Sequence, residues 1–165
     1  MPQTMLAMLA MALATLVSVH QMRSTARTRM NMIRHEVSSQ ATAVAVDRLD
    51  EIASMDFDEN TIGGKLIANA AGLTVGPPFA NDSHGNDIDD FHGVVLDTFR
   101  VAGTNKLHFR VRSKVGYADE NNPNVVVAGP GKLKRATVEV YSLIIPNPDT
   151  IRLSQTFACG SNCTW

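Results

Sequence analysis

The feature that most limits what this chain can fold into is the run Met5-Leu6-Ala7-Met8-Leu9-Ala10-Met11-Ala12-Leu13-Ala14-Thr15-Leu16-Val17-Ser18-Val19. It holds no charge, Gly or Pro, and nearly every member favours helix. No breaker separates it from a polar but still helical stretch that reaches to about Met55. As helix, the run covers about 22 Å, short of a hydrocarbon core of about 30 Å. Met1 to Met22 covers about 33 Å, enough to span, with Gln3, His20 and Gln21 near the interfaces.

Three readings of the run compete. It can be an uncleaved membrane or bundle helix. It can be a signal peptide, since Ala12-Leu13-Ala14 resembles a small-residue cleavage site, although no Lys or Arg precedes it. It can be the core helix of a soluble protein, but a run that is apolar all round, without one wet stripe, disfavours that.

From His20 onward the apolar positions thin to a stripe: Met22, Ala26, Met30, Ile33, Val37, Ala41, Val44, Leu49 and Ile52, spaced mostly by three and four. That spacing predicts an amphipathic helix. Arg23, Arg27, Arg29 and Arg34 crowd just past the run. They are either a solvated face that meets anionic headgroups or a set of intersubunit salt bridges. If the run spans a membrane, their position favours a cytoplasmic C-terminal side. The whole helix would extend about 80 Å, more than a head of about 110 residues can cover. Its uncovered part therefore needs a membrane or copies of itself.

Past Asp56 the pattern changes. Gly63-Gly64 breaks the helix, and a loop-rich region reaches Gly93. Val94 to Val101 reads as a strand, followed by a hairpin link at Ala102-Gly103-Thr104-Asn105. Leu107, Phe109, Val111 and Val115 alternate with His108, Arg110, Arg112 and Lys114, a strand with one wet face. A long loop holds Asn121 to Gly131; Ala136 to Ile145 and Ile151 to Phe157 read as further strands. The expected fold is α+β: a long N-terminal helix over 1–55, apolar in its first half and amphipathic in its second. It packs on a C-terminal antiparallel sheet of three or four strands in a head over 56–165.

Little in the chain points to chemistry. A net charge of −1 gives no expectation of nucleic-acid binding. Asp82, Asp87, Asp89 and Asp90 offer hard oxygen ligands for calcium, but their spacing misses the EF-hand loop, and solvated polar loops share this composition. No nucleophile motif or phosphate-cradling loop is present, so no enzyme activity and no other cofactor is expected. Cys159 and Cys163 can close a small disulfide that ties down the tail and implies an oxidising compartment; free thiols are the alternative.

Handle, stalk and antiparallel head in this order resemble the type IV pilin-like superfamily of pilus subunits and type II secretion pseudopilins. Locally, Arg48-Leu49-Asp50-Glu51-Ile52-Ala53-Ser54-Met55-Asp56-Phe57-Asp58-Glu59-Asn60-Thr61 resembles the helix exit of minor pilins of the mannose-sensitive haemagglutinin kind. Ile88-Asp89-Asp90-Phe91-His92-Gly93 is similar to an acidic-aromatic stretch in the same group. Pro2 to Ala7 lines up with the family's N-terminal signature, but Ala7 stands where the family has a Glu thought to neutralise a neighbour's amino terminus. The resemblance implies a filament subunit at the cell surface, held in the inner (cytoplasmic) membrane before a pilus-type machinery assembles it. Copies of the chain would form a helical homopolymer through Leu6, Leu9, Leu13, Leu16 and Val17. The alternatives are a single-pass membrane-anchored binding module, periplasmic or extracellular, and a virion-associated membrane protein.

Overall fold

The computed structural model describes residues 2–76, 79, 86–103, 105–143 and 150–165. By packing, the chain divides into two compact units, Met1–Ser38 and Ser39–Trp165. One helix, α1 (Pro2–Ala53), contributes to both. The division thus falls inside the helix, ahead of the boundary at residue 55 expected from composition. The reason is packing: Ala41, Val44, Ala45, Leu49 and Ile52 are all buried in the second unit. Their spacing of three, four and one repeats one helical face, and the small residues at 41 and 45 let the backbone approach the sheet closely.

The second unit has the expected α+β layout, with residues 39–53 of α1 packed on a single antiparallel sheet. The sheet is built from β1 (Val95–Ala102), β2 (Asn105–Ala118), β3 (Val126–Val127), β4 (Leu133–Ser142) and β5 (Ile151–Ala158). Its order is β1-β2-β4-β5, with β3 paired to the end of β2. Five strands form where three or four were expected. The added one is the two-residue β3, which sits between Asn121-Asn122-Pro123-Asn124 and Gly129-Pro130-Gly131 and carries no period to read.

Strand chemistry sets the two faces. Along β2 the side chains of Phe109, Val111, Ser113, Val115 and Tyr117 are buried, and those of Ala136, Val138 and Val140 along β4 join them. The register pairs Val111 with Val140 and Val115 with Ala136, so the inner positions coincide across strands. Between α1 and β1 the chain turns through a short 3₁₀ segment, Glu59–Gly64. α1 has already ended at Ala53; Gly63 and Gly64, with φ of 71° and 78° in the left-handed region that favours Gly, end the 3₁₀ segment. At the other end, a Cys159–Cys163 disulfide closes the tail with a Cα separation of 5.7 Å. Ile67 holds this tail through bonds to Asn162 (2.7 Å) and Thr164 (3.0 Å).

Candidate functional site

Two regions depart from the usual distribution of polar and apolar groups. The first is the N-terminal part of α1. Leu6, Leu9, Leu13, Leu16 and Val17 are 66, 61, 56, 66 and 56% exposed, and Met5, Met8, Met11 and Val19 are exposed with them. Among the described residues, this is one helix long and apolar enough to cross a membrane by length and composition. Its side chains point all round the axis, so no single turn of the helix could cover them. Arg23, Arg27, Arg29 and Arg34 follow on the same helix and are likewise exposed. Contiguous apolar surface on this scale marks a site of contact with lipid or protein.

The second region is a charge cluster in the core of the head. Lys134 has no exposed surface, an arrangement rare for lysine unless every donor is paired. Its Nζ donates to Phe57 O at 2.6 Å, Asp58 Oδ2 at 3.0 Å and Asp89 Oδ2 at 2.7 Å. Those bonds use all three N–H groups of the ammonium. The rings of Phe57, Tyr117 and Phe79 surround it with centroids at 4.6, 5.1 and 5.6 Å, close enough for cation–π attraction.

The two carboxylates differ in support. Asp58 caps the 3₁₀ segment, accepting from the Asn60 N–H at 3.1 Å while Thr61 Oγ1 accepts from the Asp58 N–H at 3.0 Å. It also accepts from the backbone and hydroxyl of Thr74 at 3.0 and 3.1 Å, and Tyr117 Oη lies 3.2 Å away. Burial alone would raise its pKa. The Lys134 charge and hydrogen bond, with the N–H groups of Asn60 and Thr74, outweigh that and hold Asp58 below the ordinary carboxylate range. Asp89 has fewer partners: its Oδ1 is buried without one among the described residues. Burial therefore prevails over Lys134, with the nearby charges of Asp87 and Asp58 adding, and Asp89 is pushed up to about 7. Burial also raises Tyr117, with Asp58 and Asp89 adding to the shift.

The cluster joins two segments that lie far apart in the chain. Asp58 lies in the helix exit and Asp89 in the acidic-aromatic stretch, and Lys134 bonds both. A backbone bridge pairs Asp56 with Asp87, and the Arg48 guanidinium sits 4.4 Å over the Phe91 ring. Of the calcium candidates, Asp89 thus faces Lys134. Asp87 Oδ1 accepts from the Asp90 N–H at 3.1 Å, and Asp90 Oδ2 accepts from the Asn86 N–H at 3.1 Å. Burial raises Asp87 above its ordinary value, against the Asp90 N–H and Lys134. Asp82 lies outside the described residues. Among the described residues no group of three or more His, Cys, Asp or Glu is disposed to hold a metal ion.

Sequence reading misses Lys134 altogether, along with Thr74 and Tyr117. The signal was present: Lys134 is in phase with the buried Ala136, Val138 and Val140 of β4. Charge in the inward phase of a strand calls for a buried counter-charge.

A scan against protein-family models finds no match, and neither curated proteins nor solved structures yield one.

Proposed function

We propose that the chain is a structural subunit of a pilus-like filament, polymerising through the N-terminal part of α1. The observation that carries this reading is the exposure of Leu6, Leu9, Leu13, Leu16 and Val17 on a helix apolar all round. In water each such side chain gains about 1.5–3 kcal/mol when fully buried. A bundle of the same helices from neighbouring copies supplies that cover on every side at once. The membrane serves as the holding place before assembly, since the helix is long and apolar enough for it. The resemblance to pilin-like proteins supports the same order of events. The Cys159–Cys163 disulfide supports a head that resides in an oxidising compartment, at the cell surface, opposite to the side that Arg23, Arg27, Arg29 and Arg34 favour by charge alone; in the filament those arginines pair with acids of neighbouring copies. Assembly, rather than catalysis, is then the task of the chain.

The second reading, a membrane-anchored monomer, is favoured by the same helix dimensions and differs in its prediction for detergent-free material. Sedimentation separates the two: long polymers support the filament, and material found only in membranes or micelles supports the anchor. The decisive variant is Leu13→Asp. It should abolish polymers seen by electron microscopy while the head keeps its melting temperature. Filaments of ordinary length and yield from Leu13→Asp protein would sink the proposal.

A further inference from the structure

The face of the sheet opposite Lys134 has chemistry that assembly through α1 does not use. Alternation sends Lys114, Thr137 and Ser154 to that face in one row across β2, β4 and β5. The next row sets Arg112 opposite Glu139 and Glu139 opposite Arg152, and the row on the other side sets Gly116 opposite Arg135. All of these but Arg112 line, together with Asn124 and Val126, a concavity of about 470 Å³, within the range of small-molecule sites. Val126 packs closely over Gly116, where a Cβ would meet Val126 Cγ1 at 2.7 Å, inside van der Waals contact.

The lining residues are unbalanced in charge. Lys114, Arg135 and Arg152 face a single carboxylate, Glu139, in a chain whose net charge is −1. Glu139 is only 13% exposed and is already held by Arg152 at 2.7 Å and Lys114 at 3.7 Å. The Lys114 and Arg152 side chains remain 55 and 66% exposed, so both can reach a ligand. The floor carries two hydroxyls, Thr137 Oγ1 and Ser154 Oγ, 2.9 Å apart. Arg135 anchors Asn124 at the rim through Asn124 Oδ1 at 2.7 Å. Half-exposed Val126 supplies the apolar wall.

We propose that this concavity binds an anionic saccharide, a mono- or disaccharide bearing a carboxylate or sulfate. Lys114 and Arg152 take the anionic group, in the charge-assisted bonds that are the strongest available to exposed side chains. The hydroxyls of Thr137 and Ser154 take ring hydroxyls, and Val126 packs on a C–H face of the ring. A bare inorganic anion would use the cations and leave the hydroxyl floor and Val126 idle, which is why a sugar fits better. The inference stands apart from the filament reading, because binding is measured on the chain whether or not it polymerises.

Calorimetric titration of the full chain in detergent, at 0.15 M salt, tests it with four probes: a sulfated disaccharide cut from heparin, digalacturonate, neutral lactose and inorganic sulfate. Saturable binding of the sulfated sugar or digalacturonate, with lactose and sulfate each bound at least about tenfold more weakly, is the expected result. Lys114→Gln and Arg152→Gln should each weaken it about tenfold, the worth of one charge-assisted bond. Arg110→Gln, on the same strand face but outside the concavity, should leave it unchanged, with circular dichroism verifying each fold. The proposal is overturned by the absence of saturable binding, or by inorganic sulfate or lactose binding as tightly as the anionic sugars. Equal losses in Arg110→Gln and Lys114→Gln overturn it too, since recognition would then be a diffuse charge effect.

Discussion

The chain departs twice from the rule that grease lies inside and charge outside, and the two departures have different remedies. From Met5 to Val19 it leaves large apolar side chains in water. At Lys134 it takes an ammonium and the carboxylates of Asp58 and Asp89 out of water. The charges are made tolerable from within, by three donors matched to three acceptors and by aromatic rings around them. The apolar helix has no such internal remedy, because its side chains face every direction and the second unit is not built from them. One departure is closed within a single molecule and the other points beyond it. Mutations should therefore separate cleanly: those at the charge cluster act on folding of the head, and those in the apolar run act on association.

The largest effect is expected at Lys134. Lys134→Ala leaves Asp58 and Asp89 facing each other without their common cation, and removal of one partner of a buried pair costs about 3–5 kcal/mol. Urea unfolding of the head should record that loss. The triple variant Lys134→Met, Asp58→Asn, Asp89→Asn should regain part of it, because the uncompensated charges are gone. If Lys134→Ala unfolds at the ordinary urea midpoint, the cluster is not what joins helix exit, acidic loop and sheet.

Next comes a matched pair on the same helix. Ile52 is fully buried and Leu13 is 56% exposed. Ile52→Ala should cost the head about 2–5 kcal/mol through lost burial and the cavity left behind. Leu13→Ala should leave head stability within about 0.5 kcal/mol of the parent, since it removes no contact there. Equal costs from both, read from thermal melts of detergent-solubilised chain, would erase the distinction between the covered and uncovered parts of α1.

How far these regions were legible in the sequence follows the range of the interactions involved. The covered part of α1 was readable because Ala41, Val44, Leu49 and Ile52 repeat at helical spacing, and β2 was readable from the alternation over 107–115. Both are local periods. The charge cluster was not, because Lys134 lies 76 residues from Asp58 and 45 from Asp89. Starting the strand at Ala136 instead of Leu133 also leaves Lys134 in a loop, where a lysine needs no explanation. The unit boundary shows the same thing from the other side: composition changes near residue 55, but packing changes at Ser38, because cover depends on what the helix meets. Asp89, one of several candidate oxygen ligands for calcium in the sequence, accepts from Lys134 in the structure.

A pH series sharpens the comparison further, with a smaller effect. Asp89 sits at about 7 in the folded head against 3.8 for an ordinary aspartate. The native state therefore holds a proton through a window in which the unfolded chain has released it. By linkage, stability falls as pH rises from about 4 to about 7, by no more than about 1.4 kcal/mol for each pH unit. Asp87, also raised, acts in the same direction. Asp58 is depressed, so its contribution is present above 3.8 and is lost as pH falls through its lower folded value. The head should accordingly be most stable near pH 4, and Asp89→Asn should flatten the decline between pH 4 and 7. A wild-type head that gains stability steadily over that window would show that Asp89 is held ionised by Lys134 after all.

The smallest effect is expected from the tail. The Cys159–Cys163 bridge closes a loop so short that its chain-entropy contribution is about 2 kcal/mol. Its position nevertheless gives it leverage: Cys159 N–H bonds Lys132 O at 2.9 Å, and Ile67 pairs with Cys163 through bonds to Asn162 and Thr164 on either side of it. Lys132 also bonds the Trp165 carbonyl and lies 5.4 Å from its ring, so the tail is held from several directions without the sulfurs. Cys159→Ser with Cys163→Ser should therefore lower the unfolding free energy by no more than about 2 kcal/mol. Hydrogen exchange should quicken at Ile67 and Cys159 and stay slow at Lys134. If the loss instead matches that of Lys134→Ala, and exchange quickens across β4 as well, then the covalent bridge and not the buried charge cluster holds the head together. The internal remedy for buried charge would then be a consequence of that closure.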